Sequence, residues 1–206
     1  MKEITASVYQ LQSTKGSYAY LYMSREGPVL IDTSFPHRAV SIIRELEAQH
    51  VRPEYILITH YDIDHIGNLA PLAEHFRVQV FLPVADAPYI TGNLKRPGIK
   101  RLFGFVVHVK VPSSFKTITA EDRVAGVMAI ASPGHTPGHL AYYVDGVLFA
   151  GDAIGTRGDL VKSNPRMLTW NIPQEESSRQ RLLANFRGWI CPAHGEPVTW
   201  PPQLNG

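Results

Sequence analysis

Four side chains that can bind a metal ion fall within six consecutive positions of the sequence. They are His60, Asp62, Asp64 and His65. Imidazole and carboxylate groups together are typical ligands of zinc, iron or manganese. Asp62 or Asp64 alone could instead cap a following helix. A helix cap needs only one such residue, so the cluster as a whole predicts a metal site.

The cluster lies between a predicted strand and a predicted helix. The apolar run 55–58 predicts a buried strand, and residues 68–76 predict a helix. Proteins with α/β folds usually place their ligands at the carboxyl ends of strands. The position of the cluster therefore favours a functional role. An earlier helix is predicted from Pro36 to about Gln49.

Other candidate ligands also follow predicted strands. His135 comes after the strand predicted at 124–131, and His194 comes after the last short strand. We expect both to be ligands, and we expect His139 to pack or hydrogen-bond behind the site. Asp152 and Asp32 each end a strand as well. Asp32 is either a turn residue or a group that orients a metal-binding histidine.

Two hairpins are predicted near these strand ends. Residues 140–144 and 147–150 flank Asp145-Gly146, a strong signal for a two-residue turn. Residues 4–11 and 17–23 alternate in polarity and predict a second hairpin at the start of the chain.

Composition places the chain among ordinary globular proteins. It has 206 residues, of which 44% are hydrophobic and 18% charged, with a net charge of +2. A nucleic-acid partner is not expected from so small a charge. The single cysteine excludes an intrachain disulfide and fits a reducing compartment. No signal peptide and no run long enough to span a membrane is seen, so we expect a cytoplasmic protein with no membrane partner.

Residues 83–104 differ from the rest of the chain because they are rich in proline and glycine. This segment predicts a helical lid or a loop. Its basic residues are candidate contacts for an anionic substrate, and the alternative is a solvated basic loop. These residues are Lys95, Arg96, Lys100 and Arg101.

The motifs together resemble the metallo-β-lactamase fold superfamily. They are His60-Tyr61-Asp62-Ile63-Asp64-His65, Gly134-His135-Thr136-Pro137-Gly138-His139, Gly151-Asp152, His194-Gly195 and Leu30-Ile31-Asp32-Thr33. The resemblance implies a single α/β (α+β) domain over residues 1–206. It would be an αββα sandwich of two facing mixed β-sheets with helices outside and metals at one edge. We place the boundary between its two halves near residue 115.

The resemblance also implies two sets of metal ligands. Site one is His60, Asp62 and His135, site two is Asp64, His65 and His194, and Asp152 bridges them. The family usually has histidine where this chain has Asp62, so the motif is His-x-Asp-x-Asp-His. Because a carboxylate is the harder ligand, Asp62 shifts the preference from zinc toward iron or manganese.

The resemblance implies a hydrolase of the glyoxalase II-like or lactonase-like branch. Two divalent metal ions, most simply zinc, would generate a hydroxide that attacks an ester, thioester or lactone of a small-molecule substrate. Asp64 and Asp152 are the predicted catalytic carboxylates, with Asp64 as a proton carrier. Tyr61 is either an oxyanion donor or part of the wall.

Three other functions remain open from the sequence. The first is a non-haem iron oxidoreductase with a persulfide dioxygenase-like or flavodiiron-like site, which Asp62 supports. A nuclease and a metal-binding protein without turnover rank lower. The sequence indicates no oligomeric state.

Overall fold

A computed structural model describes residues 1–98, 100 and 109–202 of the chain. In these residues two mixed β-sheets, of seven and six strands, pack face to face. Helices cover the outer side of each sheet. The predicted αββα sandwich is therefore confirmed.

The first sheet has its strands in sequence order, β1 to β7. Strands β1 to β4 are antiparallel, whereas β4 to β7 are parallel to one another. The strands are Lys2–Thr5 (β1), Val8–Gln10 (β2), Tyr20–Ser24 (β3), Gly27–Ile31 (β4), Tyr55–Leu57 (β5), Gln79–Pro83 (β6) and Lys116–Ile118 (β7).

The second sheet has the order β15-β14-β11-β10-β9-β8, and β11 and β14 are its parallel pair. Its strands are Arg123–Val124 (β8), Val127–Ala131 (β9), Leu140–Val144 (β10), Val147–Gly151 (β11), Gly188–Pro192 (β14) and Val198–Trp200 (β15). Between β11 and β14 the chain forms a separate ribbon of Gly155–Arg157 (β12) and Leu160–Lys162 (β13).

Five described α-helices connect the strands. They are Ala39–Glu47 (α1), Ile63–Ile66 (α2), Leu69–Phe76 (α3), Ala87–Ile90 (α4) and Ile172–Asn185 (α5). Helices α1, α3 and α4 bury apolar side chains against the first sheet, and α5 does so against the second. No helix among the described residues has the length and apolar character needed to cross a membrane.

Two buried tyrosines join the sheets next to the candidate ligands. The Tyr142 hydroxyl donates to the Ile58 carbonyl oxygen at 2.8 Å, and the Tyr20 hydroxyl donates to that of Pro192 at 2.7 Å. Both carbonyls lie two residues before a candidate ligand. The packing of the sandwich therefore fixes the backbone from which His60 and His194 project.

The hairpin predicted around Asp145-Gly146 is confirmed. Asp145 and Gly146 have φ of 48° and 75°, as a tight two-residue turn between β10 and β11 requires. The antiparallel pair predicted at the start of the chain is also present, as β2 and β3, but the predicted strand 4–11 is broken after Thr5, so that β1 and β2 form an additional hairpin. Helix α1 begins at Ala39 rather than Pro36 because His37 has a left-handed φ of 68°.

Candidate metal centre

All seven predicted metal ligands meet at one edge of the sandwich, beyond the carboxyl ends of strands from both sheets. His60 and Asp62 follow β5, and Asp64 and His65 lie on the short helix α2. The second sheet contributes the other three, which follow β9, β11 and β14 in turn: His135, Asp152 and His194.

The side chains form two groups with the composition predicted for the two sites. His60, Asp62, His135 and Asp152 offer ligand atoms within 4.8 Å of one another, and so do Asp64, His65 and His194. These two groups can each hold a metal ion. Both groups combine residues from the two sheets, so neither is complete until the sheets have packed together.

Distances in site one fit a four-coordinate metal. Asp62 Oδ2 lies 3.4 Å from His60 Nε2 and 3.0 Å from His135 Nε2. Asp152 Oδ2 lies 3.3 Å from His135 Nε2 and 4.0 Å from His60 Nε2. Ligands of a tetrahedral zinc, with bonds of about 2.0–2.1 Å, are about 3.3 Å apart.

Asp152 faces both groups at once. While its Oδ2 points into site one, its Oδ1 lies 3.4 Å from Nε2 of both His65 and His194. Asp64 Oδ2 completes site two at 3.1 Å from His194 Nε2. The arrangement is that of a carboxylate that can bridge two ions.

Hydrogen bonds on the far side of the rings aim the Nε2 atoms of His60 and His65 at the site. His65 Nδ1 donates to Asp32 Oδ2 at 2.8 Å, and Thr59 Oγ1 donates to the same oxygen at 2.7 Å. The Thr59 hydroxyl is thus left to accept from His60 Nδ1 at 3.0 Å. Asp32 therefore holds His65 directly, and His60 through Thr59, in the tautomer that a metal requires. Of the two roles considered for Asp32 from the sequence, this is the orientation of a metal-binding histidine.

His139 lies behind the site, as expected. Its Nε2 accepts the Asp152 backbone N–H at 3.0 Å, while Nδ1 donates to Ser132 Oγ at 2.8 Å. A ring nitrogen used in this way is not available to a metal. A Cβ added to Gly151 would lie 2.8 Å from the same Nε2, so only glycine permits this approach.

Three buried atoms fit a site for a metal ion. Nε2 of His60, Nε2 of His65 and Oδ1 of Asp152 have no hydrogen-bond partner among the described residues. Such atoms are costly to bury unless something binds them.

In the metal-free chain, burial disfavours protonated His194, but Asp152 and Asp64 outweigh it and raise its pKa to about 10. Burial and the neighbouring His65 hold the pKa of His60 well below its usual value, which favours the neutral form of that ring.

Lys100, predicted as a substrate contact, lines the cavity beside the ligands and also lies against site one. Its Nζ is 2.6 Å from Asp62 Oδ2 and 3.0 Å from His135 Nε2, and the side chain is buried. The sequence patterns give no indication of this contact because lysine is rarely a metal-site residue and the surrounding segment has no periodicity.

A cavity of about 440 Å³ opens from the ligands. Asp62, Asp64, Asp152 and His194 form its polar part, and the remaining wall contains Phe35, Pro36, Ile63, Arg96, Lys100 and Leu168. Of the predicted substrate contacts, Arg96 and Lys100 line this cavity.

The other predicted substrate contacts are placed differently. Tyr61 is fully buried and packs against Tyr89, with ring centroids 5.0 Å apart. Its ring lies beneath Arg96 and Lys100, so it supports the wall and does not face the cavity. Lys95 is exposed and does not line the cavity, and Arg101 lies outside the described residues.

Asp86 ties the two ligand-bearing turns together. Its carboxylate accepts from the Tyr61 backbone N–H at 3.0 Å in the first turn. In the second turn it accepts from Thr136 Oγ1 and the Gly138 N–H, both at 2.7 Å. The sequence patterns do not single out this residue, because an aspartate before Ala87-Pro88 looks like an ordinary start of a helix.

Replacing Asp86 with alanine is expected to lower the free energy of unfolding by about 3 kcal/mol, because three buried donors lose their acceptor. The measurement is urea unfolding in the presence of EDTA, so that metal binding does not contribute. The matched control is Asp122→Ala, since Asp122 bonds the N–H and hydroxyl of Thr119 on the exposed surface. An Asp86 variant no less stable than this control would contradict the role given to Asp86.

Comparison with known proteins agrees with this geometry. The family model of the metallo-beta-lactamase superfamily matches residues 14–194. The protein YobT of Bacillus subtilis (strain 168) is 27% identical over 199 residues, 89% of this chain and 85% of that protein. The crystal structure of TTHA1623 in a di-iron-bound form has a TM-score of 0.75 at 27% identity, covering 93% of each chain.

A hydroxyacylglutathione hydrolase of Nitrosomonas eutropha is 29% identical over 148 residues, 71% of this chain and 50% of that protein. The chain thus spans about half the length of this relative. Because the superfamily model covers most of the sequence and the ligand groups occupy the sheet edge, the chain belongs to the metallo-beta-lactamase superfamily.

Proposed function

We propose that the chain is a metal-dependent hydrolase that acts on an ester, thioester or lactone of a small molecule. The observation that carries this proposal is the position of Asp152. It presents one oxygen to each ligand group at the wall of a cavity of about 440 Å³. A carbonyl group in this cavity would lie beside both groups.

Different residues of the chain have different roles in the proposed hydrolysis. A bound divalent metal supplies a Lewis acid that lowers the pKa of a water molecule toward neutrality. Asp64 reaches the cavity and lies close to His194. We therefore assign it the role of a proton carrier, which takes a proton from the attacking water and passes it to the leaving group. Asp32 and His139 hold His65 and Asp152 in place during the reaction.

The wall of the cavity favours an acyl substrate with a negative charge. Phe35, Ile63 and Leu168 offer apolar surface for the acyl part. Arg96 adds a guanidinium whose Nε is buried without a hydrogen-bond partner in the described part of the chain. A carboxylate on the substrate would pair with this guanidinium where Arg96 lines the cavity. The name of the hydroxyacylglutathione hydrolases supports a thioester with such carboxylates.

Zinc is the proposed metal, with iron or manganese as the alternatives. Asp62 favours the harder metals, and TTHA1623 has been crystallised in a di-iron-bound form. An iron-dependent oxidoreductase is therefore the second candidate function. We also propose a cytoplasmic location, supported by Cys191, which is buried and unpaired.

The test is hydrolysis by the protein reconstituted with zinc or iron. The substrates are a hydroxyacyl thioester of glutathione, an uncharged aryl ester and a simple lactone. We expect saturable hydrolysis of the thioester, and Arg96→Ala should raise its KM about tenfold, the value of one charge-assisted contact, without affecting the aryl ester. No hydrolysis of any substrate would contradict the proposal, and oxygen uptake by the iron form would favour the oxidoreductase.

A further inference from the structure

Lys100 binds the same two atoms that a metal ion in site one would need. Its Nζ is 2.6 Å from Asp62 Oδ2 and 3.0 Å from His135 Nε2. These two ligand atoms are themselves only 3.0 Å apart. The Lys100 side chain is 7% exposed and that of Asp62 is 14% exposed, so the pair is largely removed from water.

The lone pair of His135 Nε2 can serve only one partner. An ammonium group only donates hydrogen bonds, so Nε2 accepts when it bonds Lys100 at 3.0 Å, whereas in the other tautomer it donates to Asp62 Oδ2 at 3.0 Å. A metal ion at site one requires the same lone pair. Asp62 Oδ2 has a second lone pair, but a divalent ion beside it would meet the positive charge of Lys100 at close range.

Site two has no lysine of this kind. Its groups face one another and Asp152 with separations of 3.1–3.7 Å, and no lysine or arginine in the described residues forms an ion pair with Asp64. The two halves of the centre therefore differ in their neighbours. Asp62 is paired with the ammonium group of Lys100, which is not one of the predicted ligands, whereas Asp64 is paired with His65 and His194, which are themselves predicted ligands.

We propose that Lys100 is a tethered cation that competes with metal for site one, so that the two sites fill in a fixed order. The first ion binds site two, and a second ion binds site one only when the Lys100 ammonium leaves Asp62 and His135. The inference uses the metal centre of the proposed function but does not depend on which reaction follows.

The first experiment is titration of the metal-free protein with zinc against a chelator of known affinity. We expect one tight ion and a second that binds at least tenfold more weakly. Lys100→Met should raise the affinity for the second ion at least tenfold and leave that for the first unchanged. The matched control is Lys95→Met, which removes an exposed lysine of the same segment. Two equally tight ions in the unmodified protein, or no change in Lys100→Met, would overturn the proposal.

A second experiment needs no substitution and so does not depend on the variant folding. Reductive methylation followed by mass spectrometry reports how accessible each lysine is. Lys100 should be protected in the metal-free and one-zinc forms and should react when the second equivalent binds, whereas Lys95 should react throughout. Protection of Lys100 in the two-zinc form would refute displacement. Neither experiment measures turnover. A negative hydrolysis assay would therefore count against the proposed function alone, and a negative result here would count against the role of Lys100 alone.

Discussion

Replacing Asp152 with asparagine should lower kcat/KM at least about 100-fold, because even groups that only orient metal ligands cost 10–100-fold when removed. The amide keeps one oxygen and puts an N–H donor in place of the other. One of the two groups of histidines then faces a donor, whichever way the amide turns. The measurements are zinc content and kcat/KM with the glutathione thioester proposed above as substrate.

Asp159→Asn is the matched control for this change. It makes the same chemical substitution at an exposed position in the turn between β12 and β13. We expect unchanged metal content and activity. If the Asp152 variant kept both its zinc and more than a tenth of the activity, Asp152 would not be the carboxylate that links the sites.

Removal of metal should lower the melting temperature by roughly 8–16 °C. Ions present at 1,000 times their Kd stabilise a protein by about 4 kcal/mol, and each kcal/mol is worth about 2–4 °C in a chain of this size. The structural reason is that Asp62, Asp64 and Asp152 crowd one edge, where buried histidine nitrogens lack partners. Differential scanning fluorimetry with and without EDTA makes the measurement.

Adding zinc back is the control, since it should restore the original melting temperature. The Asp152→Asn protein should respond less to EDTA, because it has less metal to lose. An EDTA effect smaller than about 2 °C, equivalent to about 1 kcal/mol or less, would mean that metal does not stabilise the folded chain.

The metal ligands were predictable because their signals are local. His60, Asp62, Asp64 and His65 are unusual residue types at a strand end, and no distant contact is needed to see them. The αββα arrangement followed from the resemblance that these motifs carry. The break in the first predicted strand was not predictable, since the turn at Ala6-Ser7 has only one serine and no glycine, proline or asparagine to mark it.

Asp86 and Lys100 show what sequence patterns do not contain. Asp86 acts through three donors on two distant turns, and nothing near it in sequence indicates them. Lys100 contacts Asp62, which is distant from it in sequence, only in the folded chain. In both cases the role comes from tertiary contacts, which leave no local pattern in a single sequence.

The division of the ligands between the two sheets also has a consequence for biosynthesis. A chain emerging from the ribosome presents Asp64 and His65 with its first sheet, but His194 appears only after strand β14 of the second sheet has been made. Two ligands hold a metal poorly, so the nascent chain gains little from the ion while its first sheet forms. Metal capture at site two should therefore wait for the second sheet, and metal content should report the fraction of chains in which the two sheets have packed together.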